Sequence, residues 1–127
     1  MRLTHRPSVD PSDYRFAHDI RVRFAETDAM GIVHHADYLP YFEEARVAWL
    51  RERGHPYDLL RAEGVDIAVL EVAVRYVRPL RFDEVMTVHL AVVDTTRTTF
   101  QVGYLLTVGD EVRATGVTVH GCVDGNA

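Results

Sequence analysis

Hydrophobic and polar residues alternate in a short segment near the start of the chain, where Ile20, Val22 and Phe24 are separated by arginines. A period of two is typical of a strand with one buried face. Residues 1–18 precede this strand and contain two prolines, two serines and no apolar run. We therefore predict a loose arm there, neither a signal peptide nor a membrane span, followed by one domain over residues 19–127.

The pattern then changes to a helical one. Apolar residues recur three and four positions apart and form one stripe, composed of Tyr38, Tyr41, Phe42, Ala45 and Trp49. Pro40 is compatible only with the first turn of a helix, so the helix begins near Asp37, whose side chain can cap it. Gly54 is placed to end it. We predict one helix of about four turns and a short helical turn over residues 56–63.

The second half of the chain is rich in β-branched residues. Four strands are predicted there, at residues 67–77, 85–94, 100–108 and from 111 onwards. Gly-Asp at positions 109 and 110 is typical of a two-residue hairpin, which pairs Val108 with Glu111. Two apolar pairs then lie on one sheet face, Val102 with Val117 and Phe100 with Val119. The order of elements predicts an α+β fold with a five-stranded antiparallel sheet that curls around the helix.

Composition and charge exclude several kinds of function. The net charge of -5 argues against nucleic acid as a partner. All 14 cationic residues are arginine, and without lysine a P-loop, a Schiff base or a pyridoxal phosphate attachment is excluded. Cys122 is the single cysteine, so neither an intrachain disulfide nor a Cys-x-x-Cys zinc site can form, and we predict a cytoplasmic location.

The strongest chemical candidate is Asp28, in a glycine-containing turn just before the helix. The first amides of a helix are unpaired and its dipole is positive there, so a carboxylate and an oxyanion site can lie close together. That combination suits acyl transfer. A thiol with a pKa of about 8.5 leaves a thioester without a strong acid. Asp28 could deprotonate water or attack the carbonyl itself, and both routes stay open.

Residues 20–123 resemble the hotdog-fold acyl-CoA thioesterases of the 4-hydroxybenzoyl-CoA thioesterase type. The most specific stretch is residues 26–38, Glu-Thr-Asp-Ala-Met-Gly-Ile-Val-His-His-Ala-Asp-Tyr. A weaker one is residues 76–84, Tyr-Val-Arg-Pro-Leu-Arg-Phe-Asp-Glu. The resemblance implies a hotdog fold and hydrolysis of an acyl-CoA to a free acid and coenzyme A. It also implies that no metal or redox cofactor is needed, coenzyme A being part of the substrate.

The same resemblance assigns roles to residues around the turn. It implies that Asp28 is the catalytic carboxylate, that the backbone amide of His35 polarises the thioester carbonyl, and that Gly31 lets the backbone close on the substrate. His34 and Asp37 replace residues that are usually aromatic and asparagine, which bears on acyl specificity. The His35 ring is a further candidate for orienting the substrate or the catalytic acid.

Other side chains have weaker functional interpretations beside ordinary structural ones. Tyr38 is a substrate contact or a core residue, and Glu43 is a reserve catalytic acid on the helix or a solvated one. Glu26 is predicted to be a surface acid. Adjacent His34 and His35 should diverge in direction and a third ligand is missing, so no metal site is predicted. Four arginines could bind the phosphates of coenzyme A: Arg75, Arg78, Arg81 and Arg97.

A single curled sheet leaves an exposed edge strand, which pairing with a second copy would protect, so we expect a homodimer. The resemblance implies further a homotetramer and a pocket between subunits, with residues 67–77 contributed by the partner. Two alternatives stay open. One is a hotdog hydratase or dehydratase that uses His35 and Glu43, and the other is an acyl-CoA-binding module without catalytic activity.

Overall fold

A computed structural model describes residues 6–54, 62 and 65–124. Its main elements, in chain order, are β1 (Phe16–Arg21), α1 (Tyr38–Glu52), β2 (Val65–Tyr76), β3 (Val85–Thr95), β4 (Thr99–Val108) and β5 (Glu111–Asp124). Short 3-10 turns occur at Pro11–Asp13, Phe24–Glu26 and His35–Asp37. The predicted helical turn over residues 56–63 lies outside the described residues, apart from residue 62.

The five strands form one sheet in the order β1-β3-β4-β5-β2, and every neighbouring pair is antiparallel. β1 and β2 are therefore the two edge strands. The predicted α+β class, with a five-stranded antiparallel sheet and one long helix, is confirmed. In the part of the chain that is described, none of the helices has the length and apolar character that a membrane span requires.

Helix α1 packs against the sheet through the predicted stripe. Four of its residues are buried, namely Tyr38, Tyr41, Phe42 and Ala45, while Trp49 is partly buried. The Phe42 ring stacks on Tyr104 of β4 with 4.3 Å between centroids. A Cβ added at Gly116 of β5 would lie 2.4 Å from Phe42 Cζ, so only glycine lets the strand approach the helix this closely. Gly54 ends the helix with a φ of 78°, as predicted.

The start of the chain differs from the prediction. β1 begins at Phe16 and ends at Arg21, so the strand includes the last residues of the predicted arm and excludes Phe24. Its pairing with β3 begins at Phe16, opposite Leu90. The segment before it is held by a hydrogen bond of 2.7 Å from Tyr14 Oη to the carbonyl of Ser8. Alternation alone could not place the strand, because its ends depend on which residues pair with β3.

The hairpin between β4 and β5 contains one more residue than the predicted register allows. Val108 pairs with Glu111 as predicted, but the register then shifts, and Arg113 is the extra residue of a β-bulge. A shift of one residue moves every later side chain to the other sheet face. The predicted register is therefore wrong beyond this point. The observed pairs, in place of those with Val117 and Val119, are Val102 with Thr118 and Phe100 with His120.

Candidate active site

Asp28 lies in a compact turn whose shape depends on its own hydrogen bonds. Its amide donates to the carbonyl of Ile32 at 2.9 Å and its carbonyl accepts from Gly31 at 3.0 Å. Its Oδ1 accepts from the amide of Met30 at 2.8 Å. Gly31 has a φ of 77°, a conformation that favours glycine. The side chain of Asp28 is exposed in the single chain, and the second carboxylate oxygen, Oδ2, remains available at the surface.

The base of this turn is anchored by Glu26, which is 9% exposed. Its Oε1 accepts at 2.8 Å from both the Arg23 amide and Tyr41 Oη, and its Oε2 lies 2.9 Å from Arg23 Nε. Burial opposes the charged form, but hydrogen bonds from Arg23 and Tyr41 outweigh it and lower the pKa of Glu26. The prediction of a surface acid is wrong. Sequence position could not reveal that the carboxylate turns towards the helix.

The start of the helix is capped differently from the prediction. Asp37 makes no side-chain capping bond. Instead, His34 Nδ1 accepts from the amide of Ala36 at 3.2 Å, at the beginning of the 3-10 turn that leads into α1. The amide of His35 is the first of that turn and has no acceptor among the described residues. A substrate carbonyl oxygen within hydrogen-bond distance could therefore accept from this amide.

The rings of His34 and His35 lie 4.2 Å apart at an angle of 34°. The expectation that they diverge is wrong, because the turn places both rings on the same side. Within the described residues, no group of three or more histidine, cysteine, aspartate or glutamate side chains could hold a metal ion.

Tyr76, at the end of β2, contacts the helix start and was not predicted as a site residue. Its Oη donates to the carbonyl of His35 at 2.8 Å, and its ring meets Tyr38 edge to face at 4.9 Å. Tyr38 is 2% exposed and its Oη lies 3.4 Å from the amide of Leu80, so most of its surface belongs to the core. The sequence feature that could have identified Tyr76 was its place as the first residue of the motif at residues 76–84.

A cavity of about 380 Å³ opens between the Asp28 turn, the helix start and the end of β2. Four of the predicted site residues line it, namely Asp28, His35, Tyr38 and Arg78, together with Tyr76. Gly31 lies in the same turn, and the His34 ring contacts that of His35. The structure thus brings the predicted carboxylate and the predicted oxyanion donor to one cavity.

The opposite wall of this cavity is held by the bulge in β5. The carbonyl of Arg113 accepts from the amides of Val77 and Arg78 at 2.9 and 3.0 Å. The guanidinium group of Arg113 donates to the two carboxylate oxygens of Glu84 at 2.7 and 2.9 Å. It also donates to the carbonyl of Pro79 at 2.8 Å. These hydrogen bonds hold the pKa of Glu84 below its usual value. The extra residue in the strand thus fixes the turn that carries Arg78.

The remaining predicted residues lie elsewhere. Glu43 lines a different cavity, beside the second half of α1. Arg75 lies near the N-terminal segment, Arg81 in the turn between β2 and β3, and Arg97 between β3 and β4. Of the four arginines proposed to bind phosphate, only Arg78 shares the cavity with Asp28.

The model of the Thioesterase-like superfamily matches residues 22–127. The chain belongs to this superfamily. A relative from Aquifex aeolicus, provisionally named an esterase, is 42% identical over 105 residues that cover 83% of this chain and 82% of the relative. YneP of Bacillus subtilis, provisionally named an acyl-CoA thioesterase, is 35% identical over 84% of this chain and 78% of its own length.

The crystal structure of the DHNA-CoA thioesterase from Staphylococcus aureus superposes with a TM-score of 0.84 and 27% identity, covering 87% of this chain and 75% of that one. The hotdog fold and the predicted class of enzyme, a thioester hydrolase, are confirmed at this level. Membership of the narrower 4-hydroxybenzoyl-CoA type stays a prediction.

Proposed function

We propose that the chain hydrolyses an acyl-CoA thioester to a free acid and coenzyme A. The observation that supports this most directly is the cavity at the start of α1, which is lined by both Asp28 and His35, the amide of His35 having no acceptor among the described residues. The names of relatives that share most of this chain's length support the same substrate class. The geometry of the cavity and the names of the relatives thus both support the transfer of an acyl group from a thiol.

The reaction requires little of the protein beyond these two groups. The thioester carbonyl would accept a hydrogen bond from the His35 amide, which stabilises negative charge on the oxygen as the tetrahedral intermediate forms. Oδ2 of Asp28 would either take a proton from a water molecule that adds to the carbonyl carbon, or attack that carbon itself and form a mixed anhydride, which a water molecule then opens to the free acid. Coenzyme A then leaves as a thiolate, because its thiol has a pKa of about 8.5.

Arg78 is the arginine that we assign to coenzyme A. It lines the cavity with Asp28 and is exposed, and its Nη1 lies 3.9 Å from Glu111, which leaves the guanidinium group open to an incoming phosphate. Arg75, Arg81 and Arg97 do not line this cavity; Arg81 pairs through its backbone with Ile32, which does.

We also propose that the active form is a homodimer joined through β2. This strand lies at the sheet edge and exposes apolar side chains, with Val69 at 49%, Leu70 at 53% and Val72 at 38%. Pairing with a second copy would satisfy the open backbone groups and cover these side chains. The homotetramer, the cytoplasmic location and the absence of a cofactor stay predictions.

The hydratase alternative needs His35 and Glu43 to act on one substrate. Within the chain these residues line different cavities, so this geometry gives the hydratase no support. The non-catalytic alternative is not favoured by any specific contact either.

The proposal is tested by thiol release from a panel of short, long and aromatic acyl-CoAs. We expect turnover that saturates with at least one member of the panel. Saturable binding without thiol release across the whole panel would contradict hydrolysis and would support the binding module instead.

A further inference from the structure

A second cavity, of about 210 Å³, lies beside the second half of α1. Its walls are largely apolar and include Trp49 and Phe100, and its polar members are Glu43, Arg46 and His120. No described residue lines both this cavity and the one that contains Asp28. A concave apolar site with a few convergent polar groups is typical of a ligand pocket.

A chain of buried hydrogen bonds runs behind this cavity. Arg46 Nη1 donates to Tyr104 Oη at 3.1 Å, Tyr104 Oη lies 2.7 Å from Thr118 Oγ1, and Thr118 Oγ1 lies 2.6 Å from His120 Nε2. Arginine can only donate, so Tyr104 Oη accepts from Arg46, and the hydroxyl groups of Tyr104 and Thr118 continue the chain to His120 Nε2.

The charge of this arrangement is concentrated on Arg46. Burial and the positive charge of Arg46 lower the pKa of His120 to about 4, so the histidine is neutral near pH 7. No ion pair joins Arg46 to a carboxylate among the described residues. Glu43 lines the same cavity but is exposed, so water screens its charge more than that of the half-buried guanidinium group.

Buried polar chains of this kind are costly unless every member is satisfied. This one connects α1 to the core of the sheet. Its effect is to fix the guanidinium group at the wall of an apolar cavity. A guanidinium group held this way matches a carboxylate in charge and in hydrogen-bond geometry.

We propose that this cavity binds a compact apolar carboxylate, with the anionic group paired to Arg46 and the hydrocarbon part between Trp49 and Phe100. A cavity of about 150 Å³ lined by apolar side chains accommodates benzene, so the observed volume fits one ring and a carboxylate. Apolar acids are also the chemical class that the proposed hydrolysis would release, although the binding proposal stands without that reaction.

The cavity contains its own reporter, because Trp49 is the only tryptophan in the chain. Titration of the purified protein with benzoate should change its tryptophan fluorescence in a saturable way. Benzamide has the same shape without the charge and should bind about tenfold or more weakly, since hydrogen bonds to charged groups are the stronger ones. Equal affinity for the two probes, or no saturable change with benzoate, would overturn the proposal.

Arg46→Gln should weaken benzoate binding by about tenfold or more and leave benzamide binding within about twofold. Arg51→Gln is the matched control, since Arg51 lies on the same helix but does not line the cavity, and it should bind both probes as the original chain does. Benzoate binding that is unchanged in Arg46→Gln, or equally weakened in Arg51→Gln, would contradict the assignment of Arg46.

Tyr104→Phe tests the positioning role of the hydrogen-bond chain and serves as the second variant should Arg46→Gln fail to fold. It keeps the charge but removes the hydroxyl group that holds it, so the preference for benzoate over benzamide should fall by about threefold. An unchanged preference would mean that the chain does not position Arg46. Thiol release measured on the same samples separates the two proposals, because loss of that activity with benzoate binding intact contradicts only the proposed hydrolysis.

Discussion

The cavity at the start of α1 takes its proposed reacting groups from loops, whereas the cavity beside the second half of α1 takes its polar groups from the helix and from a strand. In the first, Asp28 is exposed on a seven-residue turn, and the His35 amide has no acceptor among the described residues. In the second, Arg46 is half-buried and is fixed through Tyr104 to the core. The first arrangement leaves reactive groups available, and the second leaves a charge in a defined place.

This difference indicates how each region gains its rigidity. The loop site depends on anchors outside the cavity, chiefly Glu26 with Arg23 and Tyr41 below the turn. The strand site depends on the sheet itself. Groups that react must stay accessible, so neighbouring residues have to hold them in position. Groups that recognise a ligand can be part of the helix and the sheet. Removing a reacting group, an anchor or a group of the buried polar chain should therefore affect different properties, namely activity, stability and the dependence of stability on pH.

The largest effect should come from the reacting group. Asp28→Asn keeps the hydrogen bond to the Met30 amide but removes the charge, so thiol release should slow by about 10²–10⁴-fold, the range for loss of a general base. Stability should change by less than about 0.5 kcal/mol, because the residue is exposed. Asp94→Asn, at an exposed position of β3, is the control. Full activity in Asp28→Asn would contradict the assignment of the catalytic carboxylate.

Removing the anchor should lower stability more than removing the reacting group. Glu26→Gln loses charge-assisted hydrogen bonds to Arg23, and the free energy of unfolding should fall by about 1–3 kcal/mol in urea denaturation. Glu44→Gln affects an exposed pair with His18 and should cost less than about 1 kcal/mol. Similar losses in the two variants would mean that Glu26 is not an anchor.

Two glycines allow backbone strain to be separated from catalysis. Gly31 and Gly54 have φ values of 77° and 78°, and a Cβ at either position would meet nothing within 4 Å. Substitution by alanine should therefore cost about 1–2 kcal/mol at each, from the left-handed conformation alone. Only Gly31→Ala should also slow thiol release, because only Gly31 shapes the turn of Asp28. Equal activity in both variants would show that the turn tolerates distortion.

The most gradual effect is the response of the buried polar chain to acid. His120 is neutral in the folded protein with a pKa of about 4, whereas its unfolded value is about 6.5. The unfolded chain therefore binds more protons between these values, and stability should fall as pH drops through that window, by at most about 1.4 kcal/mol per pH unit for one proton. Burial lowers the pKa of His89 as well, in the same direction.

Urea denaturation at several pH values checks this expectation. His120→Gln should flatten the slope between pH 6.5 and 4, leaving the contribution of His89. Below about pH 4.3, protonation of Glu26 and Glu84 takes over, because their pKa values are lowered in the folded state and the stability they contribute is lost as pH falls. A slope that is the same with and without His120 would contradict its burial as a neutral ring.

The sequence was most informative where the site is contiguous. The stripe of α1 and the Asp28 turn could be predicted because their residues are neighbours in the chain and their spacing is set by local geometry. The cavity of Arg46 and His120 could not, since its residues come from α1, β2, β4 and β5. Glu26 was misjudged because nothing local distinguishes a carboxylate that turns inwards from one that turns outwards.

The bulge at Arg113 has an effect far from its own position. If Arg113 paired with Leu106 in a regular ladder, Val117 and Val119 would stand opposite Val102 and Phe100, and the helix would be met by valine side chains where Thr118 and His120 now lie. The interior would then be an ordinary hydrocarbon layer, with no threonine hydroxyl beside that of Tyr104. A regular ladder over the same residues would thus convert a polar interior into an apolar one without altering a single side chain within it.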